Sequence, residues 1–279
     1  MIQGQIGARA ANGAEASRRL DKFFTKPEVA AACVAMARTA IGAEPALWIE
    51  PSAGAGAFLA ALPCPKIGVD IDPAAGGMIK ADFLEWEPPN VRGTIAAIGN
   101  PPFGKNASLA VKFFNRAASY CDFVAFIVPR TFEKASIRKR LDRRFSLVFE
   151  TALDPGSFLF MGEPYAVPAV FQVWAKGPER VDIPAPATHP DFDFVGRGEA
   201  DFAFQRVGAQ AGLSPGWHGM KSPSSHYFLK SKRRDIDVRS VLAAADWSLA
   251  KARSAGNPSI SKTELVAGYA AALARISPN

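Results

Sequence analysis

Between residues 46 and 176 one pattern repeats: a short apolar run, a few residues of Gly, Pro or Asp, then a stretch with helical spacing. The runs are ALWIE (46–50), KIGVD (66–70), a short one within MIKADFLEW (78–86), TIAAIGN (94–100), DFVAFIVP (122–129), SLVFE (146–150) and AVPAVFQVWAK (166–176). Runs this short and this apolar suit strands covered on both faces. Strands separated by helices close into a mostly parallel sheet, because parallel neighbours need a crossover. The expectation is therefore an α/β fold with a seven-stranded sheet. Helices are expected over 108–120 and across the basic segment FEKASIRKRLDRR (132–144), and the glycine loop PSAGAGAFLAAL (51–62) should run into another. The first helix should begin in FFTKPEVAAACVAMART, where Thr25 can cap it, Pro27 lies in the first turn and Glu28 follows Thr25 by three, as in a capping box.

After Lys176 the alternation stops at the proline-rich stretch GPERVDIPAPATHPDFDF and does not return before a last helix over 262–276. The division read from this is a mobile leader over 1–20, a main domain over 21–177 and a smaller C-terminal region over 178–279. Whether the last helix packs back on the main domain is left open. Cys33, Cys64 and Cys121 stand too far apart for a paired motif and read as reduced core thiols. His189, His218 and His226 lack ligands at metal spacing, so no metal site is expected. With neither a signal-peptide core nor an apolar stretch long enough to span a bilayer, the expected location is the cytoplasm, with no membrane partner. A net charge of +7 favours a polyanionic partner.

IEPSAGAGAFL places Glu50, Pro51 and Ser52 at a strand end, followed by Gly54 and Gly56. Ligands of open α/β sheets sit at this end of the strands, and glycines admit close backbone approach. The loop is neither a dinucleotide fingerprint, since position 59 is Leu, nor a P-loop. Taken singly, it also fits a simple turn. The next strand ends in Asp70, followed by Ile71 and Asp72. A carboxylate there can accept ribose hydroxyls, or it can be a solvated strand end. Asp82 can take an adenine amino group while Phe83 lies on the ring, or it can cap a helix. Loop, Asp70 and Asp82 follow one another in the order of a cofactor with methionine-like, ribose and adenine parts, S-adenosylmethionine.

The fourth strand runs into Asn100-Pro101-Pro102-Phe103. An exocyclic aromatic amine is a poor nucleophile because its lone pair is delocalised into the ring. The Asn100 side-chain oxygen and the Pro101 carbonyl can accept its two N–H groups and favour a more tetrahedral nitrogen. Pro102 stiffens the peptide that carries the Pro101 carbonyl, and Phe103 can stack on the base.

Together these motifs resemble the amino-group methyltransferases of the Rossmann-like class I fold, and among them the DNA adenine-N6 methyltransferases. FFTKPEVA, with Phe24 and Thr25, is similar to their N-terminal cofactor segment. EPSAGAGAF is similar to their glycine motif, GVDIDP to their ribose motif, ADFL to their adenine motif and NPPF to their catalytic tetrapeptide. In this sequence Lys26 separates Thr25 from Pro27, where many relatives have Thr-Pro, so Thr25 stands as helix cap, cofactor contact or both. IVPRTF is similar to a later packing motif. The short interval from Gly56 to Asn100 leaves no room for an inserted recognition domain, which matches the gamma-type order and puts recognition after residue 177.

The resemblance implies transfer of a methyl group from S-adenosylmethionine to adenine N6 in DNA, at a specific short sequence and with base flipping. It implies a monomer or weak homodimer, nucleoid-associated when bound, with a separate restriction endonuclease as one conceivable partner. Adenine in ribosomal or other structured RNA is the rival substrate, a glutamine amide in protein fits less well, and a non-catalytic nucleic-acid-binding protein keeping the fold is the other class. Two basic clusters suit phosphates. One spans Arg130 to Arg144 and reads rather as a solvated helix face over Phe132, Ile137 and Leu141. The other joins Lys221, Lys230, Lys232, Arg233, Arg234 and Arg239 with Trp217, His218, His226 and Tyr227. Lys105, just past the tetrapeptide, is a further expected DNA contact. Phe158 is either core or a platform for the flipped base.

Overall fold

A computed structural model of the chain describes residues 24–63, 65–160, 163–181, 185–214, 221–254 and 257–276. The expected leader, Cys64, Trp217 and His218 lie outside them. The chain divides into two compact units between Val181 and Asp182. No helix among the described residues is long and apolar enough to cross a membrane.

The first unit contains β1 (Phe24–Thr25), α1 (Pro27–Ile41), β2 (Leu47–Glu50), α2 (Ala57–Ala61), β3 (Lys66–Asp70), β4 (Ile79–Lys80) and β5 (Ile95–Gly99). It continues with α3 (Ser108–Ala118), β6 (Phe123–Pro129), α4 (Ala135–Arg138), β7 (Phe145–Ala152), β8 (Phe158–Phe160), β9 (Glu163–Tyr165) and β10 (Ala169–Lys176). Seven strands form one sheet in the order β4-β3-β2-β5-β6-β10-β7. Six of them point the same way, and only β10, antiparallel to both β6 and β7, is reversed. This is the Rossmann-like, mostly parallel sheet expected of the class I methyltransferase fold. A separate small sheet, β1-β8-β9, pairs Thr25 with Phe158.

Strand residues alternate between the two faces, and the cores divide accordingly. Leu47 and Ile49 of β2 lie with Val69, Phe126 and Trp174 in a core closed by α3 through Ala110, Val111 and Phe114. Trp48 points the other way, into a core with Ile98, Ile127 and Phe171 that α1 and α2 close through Cys33, Val34 and Phe58. Phe158 is buried in this second core, so it is a packing residue and not an open platform for a base.

Two local expectations fail for physical reasons. The residue before α1 is Lys26, with no side-chain cap, because Thr25 is held inward by its pairing with Phe158. The basic segment is no continuous helix: a single 3-10 turn over Arg130–Glu133 precedes α4, which has only four residues. The Asn115 amide of α3 clips the chain beyond α4, donating to the Arg140 carbonyl at 2.9 Å and accepting from the Asp142 N–H at 2.8 Å. The Asp142 carboxylate then turns the chain by accepting from the Arg144 N–H. Such side-chain bonds to nearby backbone compete with helix continuation.

The second unit holds β11 (Phe192–Phe194), β12 (Phe202–Gln205) and β13 (His226–Ser231) in an antiparallel sheet with β13 central. Helices α5 (Val238–Ala243), α6 (Ser248–Ala252) and α7 (Lys262–Ile276) accompany it. The last helix, α7, buries Leu265, Val266 and Tyr269 in this unit's own core, with Phe192, Leu229 and Trp247. Its N-terminus carries a true capping box: the Ser261 N–H donates to Glu264 Oε2 at 2.8 Å, and the Glu264 N–H to Ser261 Oγ at 3.3 Å.

Gly268 in α7 gives a test of this core. Helix propensity alone favours alanine there by about 1 kcal/mol. A methyl group at Gly268, however, would stand 2.3 Å from Cζ3 and 2.6 Å from Cη2 of Trp247, and the indole is buried. Overpacking costs about 1–3 kcal/mol. Gly268→Ala should therefore lower the melting temperature by several degrees; a calorimetric melt at or above that of the parent would show that the indole moves aside.

Candidate active site

Because β3, β2 and β5 are adjacent and parallel, the segments leaving their carboxyl ends meet along one edge of the sheet. These segments are the glycine loop after Glu50, Asp70 with Ile71, and Asn100 to Phe103.

The glycine loop is held from several sides. The Asp70 carboxylate accepts from the Gly54 N–H at 2.7 Å and from the Asp72 N–H at 2.8 Å. The Ala53 N–H donates to the Val69 carbonyl, and the Ala74 N–H to that of Gly54. Gly54 and Gly56 have φ of 52° and 84°, where L side chains are strained. A methyl group at Gly54 would come 3.3 Å from the Phe24 ring, and one at Gly56 would come 3.0 Å from Met78 Cε. The N-terminal Phe24 thus lies against the loop that the sequence places with it. Thr25 Oγ1 is buried without a hydrogen-bond partner among the described residues. Ile71 is 66 % exposed beside Asp70, an apolar surface at the sheet edge.

Glu50 lies under this loop. Its carboxyl is almost wholly buried, with Oε2 accepting from the Leu59 N–H at 2.9 Å. Burial pushes its pKa up to about 9, with the Asp70 charge acting in the same direction and the Leu59 bond opposing. A methyl group at Gly99, where φ is 155°, would come 3.3 Å from Glu50 Cγ. Gly99 was not singled out in the sequence, although a glycine inside a buried strand marks close approach.

Asn100 follows, half-buried, with Pro101 buried and Pro102 and Phe103 half-buried. The Phe103 ring packs on the core of α1 and α2, and its carbonyl accepts from the N–H groups of Leu109 and Ala110 at 3.2 and 3.3 Å. The tetrapeptide is thereby tied to the first turn of α3. Directly after it, Asn106 and Ala107 both have positive φ, 54° and 59°. Two successive non-glycine residues in this region cost about 1–2 kcal/mol each, strain of the kind that gathers at functional segments. Lys105 is exposed at this turn.

Asp82 is exposed and caps a turn through Oδ1, which accepts from the Leu84 N–H at 2.9 Å, a bond that does not use Oδ2. Phe83 is 1 % exposed and stacks on Phe113 at 5.4 Å and Trp86 at 6.4 Å, so it is a core ring with no open face for a purine.

In the second unit Arg233 bonds the carboxylates of Asp235 and Asp191. The Asp191 carboxylate also accepts from Tyr269 Oη at 2.8 Å, which makes Arg233 part of the unit's framework. Burial lowers the pKa of His226 and favours the neutral ring; Nδ1 meets Ser225 Oγ at 2.9 Å, and the side chain offers no surface to a phosphate. Lys232 pairs with Asp193 at 3.1 Å, while Lys230 and Arg234 are exposed and Lys221 is half-buried. Tyr227 is half-buried beneath the Arg206 guanidinium at 5.2 Å, with Phe194 edge-on at 5.4 Å. In the first basic cluster Arg130, Arg138 and Arg144 pair with Glu133, Glu150 and Asp142, and Arg140 and Arg143 donate to backbone carbonyls. Lys139, Arg140, Arg143 and Arg144 are nevertheless exposed, and Arg130, Lys134 and Arg138 half-buried.

No protein-family model and no curated protein matches the chain. Among solved structures it is similar to PH1948 of Pyrococcus horikoshii, for which RNA methylation is proposed, at 19 % identity over 57 % of this chain and 89 % of that one, with a TM-score of 0.44. It is also similar to the 23S rRNA methyltransferase ErmE, at 17 % identity over 60 % and 74 % with a TM-score of 0.41. A third is the N-methyltransferase NodS of Bradyrhizobium japonicum, at 10 % identity over 54 % and 95 % with a TM-score of 0.39. Likenesses at this level carry no residue role across to this chain.

Proposed function

We propose that the chain is an S-adenosylmethionine-dependent methyltransferase acting on the N6 amine of adenine in DNA. The observation that carries this reading is the placement of Asn100-Pro101-Pro102-Phe103 at the carboxyl end of β5, along the same sheet edge as the glycine loop and Asp70.

The residues present fit the cofactor. The loop has two left-handed glycines, Asp70 keeps lone pairs beyond its two backbone bonds, Ile71 offers an apolar surface, and Thr25 Oγ1 is a buried acceptor without a partner among the described residues. When bound, S-adenosylmethionine supplies a methyl group on a sulfonium. The chain's own part is positioning. Asn100 and the Pro101 carbonyl accept from the amine and raise its nucleophilicity, Pro102 and the tether of Phe103 to α3 fix that pair, and Phe103 bounds the site on the core side. The proton that the amine loses on methylation would pass to solvent. Within duplex DNA the amine is reached only after the base leaves the stack. Exposed Lys105 of the first unit is one residue proposed for the DNA backbone; in the second unit the proposed contacts are exposed Lys230 and Arg234, with Lys221, Lys232 and Tyr227.

The test is methyl transfer from tritiated cofactor to duplex DNA, ribosomal RNA and release-factor protein, followed by digestion of the labelled product. Label in N6-methyladenosine from RNA would move the substrate to RNA. Label in glutamine would overturn the nucleic-acid reading, and no transfer to any of the three would overturn the enzyme.

A further inference from the structure

Glu50 ends β2 and Asp70 ends β3, so two carboxyl groups leave neighbouring parallel strands beneath one glycine loop. Glu50 is 2 % exposed. The groups facing it are the Asp70 carboxylate from β3, the Leu59 N–H from α2 and the backbone of Gly99 from β5. Among the described residues no Lys, Arg or His forms an ion pair with either acid. Two ionised carboxylates so placed, one of them wholly out of water, are unstable without a counter-charge. None of the described residues supplies one, and a proton or a ligand meets that need.

We propose that Glu50 holds a proton in the free protein and releases it to solvent when a cationic ligand, the sulfonium or ammonium of the cofactor, seats against the glycine loop. This rests on the cofactor reading above. Only an O–H bond breaks, and the proton passes to buffer. The direction follows from the acid's state: pushed up to about 9 by burial and by Asp70, Glu50 is protonated at neutral pH, and a nearby cation favours its ionised form. Binding should therefore tighten as the pH rises, by up to about tenfold per pH unit, until the ligand's own α-amino group begins to lose its charge near pH 8.

The experiment is isothermal titration calorimetry at pH 7, where the ligand's α-amino group, with an ordinary pKa of about 7.7–8.0, is mostly charged already, in phosphate and in imidazole, buffers of very different ionisation enthalpy. S-adenosylmethionine should release close to one proton per site from the parent protein. 5′-Methylthioadenosine, which keeps adenine and ribose but has no charge, should release none. Glu50→Gln, which preserves shape and the neutral state, should bind S-adenosylmethionine without proton release. Binding to the parent with the same heat in both buffers would overturn the proposal, as would undiminished release from Glu50→Gln. Absence of any binding of S-adenosylmethionine to the parent would instead sink the cofactor reading itself.

Discussion

Asn100→Ala is expected to lower methyl transfer by at least about 10²–10³-fold, the usual consequence of removing one preorganised polar contact from a reacting centre. Its Kd for the cofactor analogue sinefungin should stay within about twofold, because the lost contact is to the amine and acts in the transition state rather than in cofactor binding. The structure makes this separation reasonable. Asn100 follows Gly99 at the end of a five-residue strand that is buried throughout, and the chain beyond it is anchored by Phe103 to Leu109 and Ala110. Truncating a half-buried side chain between two fixed points leaves the backbone course set. Stopped-flow binding and single-turnover transfer, measured on the same preparation, check both halves. Near-parental turnover would refute the assigned chemistry, and a large loss of sinefungin binding would show that Asn100 serves the cofactor instead.

The parts of this molecule that were legible in the sequence are those in which local pattern and burial coincide. KIGVD could be read as a strand because its apolar run needs no partner to be recognised, and it spans β3 from end to end. The helix from Lys262 to Ile276 was legible for the same reason. Errors fall where a local pattern admits two uses and a distant residue decides between them. Thr25 and Glu28 have the spacing of a capping box, but Phe158, far along the chain, draws Thr25 into β1. Ser261 and Glu264 have the same spacing and do form the box. FEKASIRKRLDRR has the composition of a helix, yet the Asn115 amide breaks it from another element. Phe83 follows a plausible adenine contact, but the ring's direction depends on Phe113 and Trp86. Arg233 stands in a basic run, and only the fold brings Asp191 to it. Charge in a sequence gives the number of cations; their availability is a tertiary property.

Asp70→Ala should weaken cofactor binding by tenfold or more, about 1.4 kcal/mol or greater. Two causes contribute. The carboxylate holds the loop through the Gly54 and Asp72 N–H groups, at 2.7 and 2.8 Å, and bonds to a charged acceptor contribute about 1.5–3 kcal/mol each. Their removal leaves two backbone donors to find water and frees Gly54, already in the left-handed region with φ 52°. The second cause is direct, the loss of an acceptor for ribose hydroxyls. A double-mutant cycle separates the two: the parent and Asp70→Ala proteins are each titrated with S-adenosylhomocysteine and with its 2′,3′-dideoxy analogue. If Asp70 meets the ribose, the substitution costs less with the analogue, which has already lost that contact, and the coupling should exceed about 0.5 kcal/mol. Equal cost with both ligands would make Asp70 a tether of the glycine loop alone. An unchanged Kd for S-adenosylhomocysteine would remove Asp70 from the site, since neither a loosened loop nor a lost acceptor leaves binding untouched.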